Sequence, residues 1–156
     1  MRLFIFIAIL LIHVSGFAQT TVSPPQLEGC FDTAAKKFSL DKTLLKAIAH
    51  TESGFNVNAI SPQNSNATFD IGLMQINSAW LPTLSKYGIS REKLQNPCAN
   101  IHVGAWILAN NISTYGRTWR AVGAYNSPTR SFQAVYVKKV QHSYTLLLAG
   151  LNWWSI

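Results

Sequence analysis

The chain has 156 residues, a formal net charge of +7 and only 12% charged side chains against 48% hydrophobic ones. That is one domain with enough apolar residues for a single core, too hydrophobic for a disordered chain. The basic balance points to an anionic partner, whether cell-wall polymer, membrane surface or nucleic acid, but the cations are scattered, with only Lys36-Lys37 and Lys138-Lys139 adjacent, so no nucleic-acid stripe emerges. The four histidines and two cysteines show no HxxxH or CxxC grouping, which argues against a metal site, and no cofactor is expected.

Residues 1–18 read as a cleaved secretory signal. Arg2 is the positive n-region, Leu3 to Ile12 the apolar stretch, and Gly16 and Ala18 the small residues before the cut. The apolar run is too short to span a bilayer comfortably, and so is YTLLLAGLNWW at 144–154, so no membrane span is expected after cleavage. Export implies a periplasmic location and an oxidising compartment, where the pair Cys30 and Cys98 suggests one disulfide. LEGC at 27–30 fits a lipid-attachment box badly because of Glu28. Residues 19–29, containing TTVSPPQL, read as a flexible lead-in, and 30–156 as the folded domain.

From Cys30 onward, Phe31, Ala34, Ala35 and Phe38 repeat with the helical period. Asp41 is placed to cap a second helix, KTLLKAIAHTES, which Gly54 stops. Residues 55–77, rich in Asn, Ser and Gly, predict loops or short strands. NSAWLPTLSKYG predicts a short helix ending at Gly88. Ile101, Ala105, Leu108, Ile112 and Tyr115 mark a longer one closed by Gly116. Trp119 to Tyr125 predicts another turn of helix, and SFQAVYVKKVQHSYTLLL the last, capped by Ser131. The expected fold is mainly α (α+β).

Within the second helix, Leu45, Ile48, Ala49 and Glu52 fall at i, i+3, i+4 and i+7. Glu52 therefore shares a face with buried residues and sits in the last turn, where the helix dipole disfavours its charge. Desolvation first, then the dipole, should raise its pKa toward neutrality, as a general acid requires. On position alone, a glutamate turned out to water fits as well.

The motifs ESGFN, SP, DIGLMQIN and AVGAYN occur in that order, together with GCFDTAAKKF, WLPTLSKYGI and NPCANIHVGAWILA. In this the chain resembles the lytic transglycosylase family with a lysozyme-like domain, in particular its small members associated with secretion and conjugative pilus systems. The resemblance covers essentially the whole mature chain. It implies a helical lysozyme-like domain with a cleft over a small β or loop region. It places Glu52 on the catalytic acid/base and Ser61 on the serine beside the cleaved bond. Met74 and Gln75 would line the cleft, and Tyr125 and Asn126 would support the glutamate and the sugar. Ser127-Pro128 departs from the small residue or glycine usual after AYN, which bears on the local backbone.

The implied substrate is peptidoglycan, cut between N-acetylmuramic acid and N-acetylglucosamine with closure of a 1,6-anhydro ring; secretion or pilus assembly proteins are the implied partners. One carboxyl suffices for that chemistry, whereas ordinary glycosidases need two. Asp70, just before GLMQIN, stays open between an auxiliary carboxylate and a turn-capping residue. A hydrolytic muramidase and a non-catalytic peptidoglycan-binding component are the alternative readings.

Overall fold

The computed structural model describes residues 24–150; the signal reading of 1–18, and residues 19–23, lie outside them. Its first helix, α1, runs Pro24–Phe38. The expectation of a loose lead-in up to residue 29 is thus corrected for its second half. Leu27, 3% exposed, extends the apolar period of Cys30, Phe31, Ala34 and Ala35 one turn backwards, and prolines are tolerated in a first helical turn. Glu28 ties this turn to the next helix through Lys42 and Lys46, both at 2.9 Å.

Helix α2, Lys42–Ser53, follows the expected signals. Asp41 accepts from the backbone N–H of Thr43 and Leu44, and Gly54 closes the helix at φ 59° in the left-handed region. The Asn-rich segment then makes a bridge between Ile60 and Ile71 and a minimal hairpin, β1 (Asp70–Ile71) against β2 (Ile76–Asn77). In its antiparallel register Asp70 faces Asn77 and Ile71 faces Ile76. The side chain of Asn77 caps a 3₁₀ turn, Ser78–Trp80, which leads into α3, Leu81–Ser85. A short α4, Arg91–Leu94, is capped by Ser90 and was not apparent from periodicity.

Helix α5, Pro97–Tyr115, is the axis of the core, burying Asn100, Ile101, Val103, Gly104, Ala105, Ile107 and Leu108. It packs against α1 and α6 (Trp119–Asn126), while α7 (Arg130–Leu148) packs against α2 and α6. The predicted Ser131 cap is corrected to Thr129, which holds the N-cap position without a side-chain bond. The Ser127-Pro128 turn sets the earlier start: Gln133 Nε2 donates to both of their carbonyls. The two helices cross closely at Gly123, where a Cβ would lie 2.7 Å from Gln133 Cβ.

Cys30 and Cys98 are bonded, joining α1 to the start of α5 across a sequence separation of 68 residues. Closing a loop of that size removes roughly 4 kcal/mol of unfolded-chain entropy. Reduction is therefore expected to lower the melting temperature by roughly 10 °C. Thermal melts with and without reductant measure this, and coincident transitions would show that the link contributes nothing.

Candidate active site

Glu52 is the penultimate residue of α2, and the packing of α2 on α7 brings Tyr136 to it. The Tyr136 hydroxyl donates to Glu52 Oε1 at 2.6 Å. The contact is held in register two residues upstream, where His50 Nδ1 lies 2.8 Å from the buried Ser143 Oγ and Thr51 Oγ1 lies 3.2 Å from the same atom. Burial pushes the Glu52 carboxyl up to about 7; the negative charge of Asp70 adds to the rise, while the Tyr136 hydrogen bond and Lys139 oppose it. Desolvation wins because a carboxylate loses more hydration than one hydroxyl returns.

Glu52 opens onto a cavity of about 500 Å³. One wall is the hairpin region, with Asn64, Asn66, Asp70, Gln75, Ile76, Asn77 and Trp80. The other combines Ile107 and Asn111 of α5 with Ala124 to Pro128 at the end of α6. Asp70, Gln75, Tyr125 and Asn126 all line this cavity together with Glu52. The Ser127-Pro128 departure stands in the cleft wall itself.

Met74 does not line the cleft. It is fully buried beneath the cleft, so that a Cβ at Gly104 would lie 2.7 Å from Met74 Cε and 2.9 Å from Tyr125 Oη. Its contribution is through the backbone: its carbonyl accepts from Tyr125 Oη at 3.0 Å and its N–H donates to Asn100 Oδ1 at 2.7 Å. The Tyr125 hydroxyl thus braces the GLMQ turn, and the hydrogen bond to Glu52 comes from Tyr136. Ser61 is not among the cavity residues. Its Oγ accepts from the Asp70 N–H at 2.8 Å and lies 3.1 Å from Asp70 Oδ2. Gln75, held at φ 46°, donates Nε2 to Gly72 O at 2.8 Å and so keeps its own turn closed.

Asp70 accepts from Asn77 Nδ2 at 2.7 Å and lies within reach of Ser61 Oγ and of Asn64 Nδ2 at 3.3 Å. It is pinned to the hairpin, yet it faces the same cavity as Glu52. Among the described residues no group of three His, Cys, Asp or Glu is arranged to hold a metal ion, and no helix is long and apolar enough to cross a membrane. Periodicity missed Tyr136 because its only signal was a place on the buried stripe with Val140, a stripe that is indistinguishable from core.

A helical domain with one part-buried glutamate facing a cleft over a small hairpin is a lysozyme-like fold. Residues 29–143 match the family described as Transglycosylase SLT domain, and the chain belongs to that family, the peptidoglycan lytic transglycosylases. It is 44% identical over 123 residues to "Invasion protein IagB" of Salmonella typhimurium, covering 76% of each chain. It is also 44% identical over 101 residues to "Protein IpgF" of Shigella flexneri, covering 64% of this chain and 66% of that one. Among solved structures, an inactive mutant of the lytic transglycosylase Slt from Pseudomonas aeruginosa superposes with a TM-score of 0.62 at 24% identity. That match covers 80% of this chain and 24% of the other, and supports the fold.

Proposed function

We propose that Glu52 carries out both proton transfers of a non-hydrolytic cleavage. The protonated carboxyl donates to the oxygen linking N-acetylmuramic acid to N-acetylglucosamine as the C1–O bond breaks. The resulting carboxylate then takes the proton from the muramic acid C6 hydroxyl, whose oxygen bonds to C1 and closes the 1,6-anhydro ring. The single observation that carries this reading is the Glu52 carboxyl held near pKa 7 at the cleft, poised to give and to take a proton at neutral pH. Because the nucleophile is tethered to the sugar, no water has to be positioned, and proximity supplies much of the rate. We assign Asn126 and Gln75 to the walls that hold the glycan, and Ser61 to positioning Asp70.

The location that fits is the periplasm. There the enzyme would open the wall locally for an envelope-spanning secretion or pilus apparatus, supported by the motif resemblance and by the printed name of its Salmonella relative, an invasion protein.

The hydrolytic reading draws on one observation, that Asp70 faces the same cavity as Glu52. Digesting purified sacculi in ¹⁸O-labelled water separates the two. The expected result is anhydro ends without label, and Asp70→Asn is expected to retain measurable activity with the same ends. Label at the new muramic acid ends, or an Asp70→Asn variant that is silent, would make the enzyme a muramidase.

A further inference from the structure

Helix α5 carries a second strip beside its core positions. Ala99, His102, Val103 and Trp106 fall at i, i+3, i+4 and i+7. Val103 is buried, whereas the other three are only half-buried. They form the floor of a groove of about 450 Å³, with Phe38 of α1 on one side and Leu84, Tyr87 and Ile89 of the α3–α4 segment on the other. Tyr87, at its edge, is 70% exposed. A concavity of that size with an apolar floor is the shape of a binding site. It shares no residue with the cleft. Trp106 on its floor meets Trp80 of the cleft wall edge-on at 5.4 Å and 77°, so the groove lies behind that wall.

The charge of the groove is positive and unanswered. Lys37 Nζ stands 5.5 Å from the Phe38 ring, and Lys93 Nζ donates to Gly88 O at 3.4 Å, with two further donors to spare. His102, held below the usual imidazole range by burial and by Lys37, stays neutral. Among the described residues neither lysine has a carboxylate partner, because all six acids of the chain are engaged elsewhere. Glu28 and Asp32 pair with Lys42, and Asp41 caps α2. Glu52 and Asp70 face the cleft, and Glu92 bonds to Ser90. An apolar floor between two unpaired ammonium groups is complementary to an apolar segment flanked by carboxylates.

The walls narrow that segment further. They hold no Asn, Gln, Ser or Asp to meet the hydroxyls of a glycan, where the cleft has several. A lipid surface is planar and does not reach a concave floor. The walls are helices and a turn, with no strand edge to extend. The floor runs from Ala99 to Trp106, two helical turns or about 10 Å, which matches a helix laid along α5. We propose that this groove docks an amphipathic helix of a partner protein. Its apolar side chains, at i, i+3, i+4 and i+7, rest on the α5 strip, and Asp or Glu on its flanks meets Lys37 and Lys93. A partner held there leaves the cleft open to glycan.

The test is selection of binders to the disulfide-bonded enzyme from a randomised library of helical peptides of about 15 residues, long enough to hold a helix. Enriched sequences are expected to carry apolar residues at that spacing with acidic flanks. Their affinity is expected to fall about 10-fold in the double variant Lys37→Glu, Lys93→Glu, the scale of two exposed ion pairs turned into repulsions. Replacing the acids of a selected peptide by lysine should restore binding to the double variant and lose it to the parent. Tyr87→Ala should weaken the acidic peptide by a similar factor. Glycan cleavage should stay within about 2-fold in both variants, which shows that they fold. No enrichment, enrichment without acidic bias, or affinity unmoved by the charge reversal would overturn the docking site. So would displacement of the peptide by the β-1,4 tetramer of N-acetylglucosamine, which would place it in the cleft. Phosphatidylglycerol vesicles that bind through the same lysines while no peptide is enriched would assign the face to a lipid surface instead. None of these results bears on whether water attacks the glycan, which the ¹⁸O digestion decides separately.

Discussion

Replacing Glu52 by glutamine is expected to lower turnover by at least about 100-fold, the usual scale of acid–base catalysis, while making the fold more stable at neutral and alkaline pH. The sign follows from linkage. The folded-state pKa, about 7, lies above the unfolded value near 4.5. Between those values the native protein holds a proton that the unfolded chain has released. Stability from Glu52 is therefore complete below about pH 4.5 and lost as pH rises through 7, by about 3 kcal/mol in all. Glutamine does not titrate, so the melting temperatures of variant and parent should converge at low pH and diverge up to about pH 7. Activity of the parent should fall over the same upper range as the acid ionises. Tyr136→Phe removes a hydrogen bond that lowers the Glu52 pKa, so the falling limb should move to higher pH. A pH series of melts and rates checks all of this. Turnover of Glu52→Gln within a few-fold of the parent would remove Glu52 from the chemistry.

Elements whose signals are local were legible in the sequence. Asp41 and Gly54 bound α2 at the residues expected, because a cap is made by a side chain or a φ angle belonging to the residue itself. The same helix shows why Glu52 stood out: a carboxylate at i+7 on an apolar stripe is unusual, although its place in the last turn left it free to turn to water until the motifs were read. What escaped reading depends on distant partners. Tyr136 lies 84 residues from Glu52 in sequence, and only the packing of α7 on α2 tells it apart from any other core tyrosine. Met74 sits in a turn, where periodicity says nothing about which way a side chain goes, and its burial under the cleft depends on the absent Cβ of Gly104. The start of α1 was obscured by the prolines and polar residues at 20–26, although Leu27 continued the apolar period. The reach of α7 back to Arg130 follows from the bonds of Gln133 to the Ser127-Pro128 turn, which no local pattern announces.

Asn100 is the largest of these long-range dependencies. Asn100→Leu is expected to destabilise the protein by about 4 kcal/mol, a large share of the 5–15 kcal/mol typical of a domain. The side chain is 1% exposed and stands among apolar neighbours on α5. Its Oδ1 accepts from Met74 N–H, and its Nδ2 donates to Ile71 O at 2.9 Å and Leu94 O at 3.0 Å. Leucine fills a similar volume but leaves one N–H and two carbonyls without partners. Each such loss costs about 1–3 kcal/mol, and losses sharing one site add incompletely. The room for this hub comes from Gly72, where φ is 73° and a Cβ would lie 2.5 Å from Asn100 Nδ2. The damage should not stop at stability. Met74 O is the acceptor for Tyr125, and the turn between β1 and β2 positions Gln75 beside Asp70 in the cleft wall. Specific activity per folded molecule should therefore fall as well, whereas reducing the disulfide lowers stability without touching that turn. Urea midpoints, with activities normalised to the folded fraction at low temperature, distinguish the two. A parental midpoint in Asn100→Leu would show that the hairpin is held by its own register and the apolar packing around it.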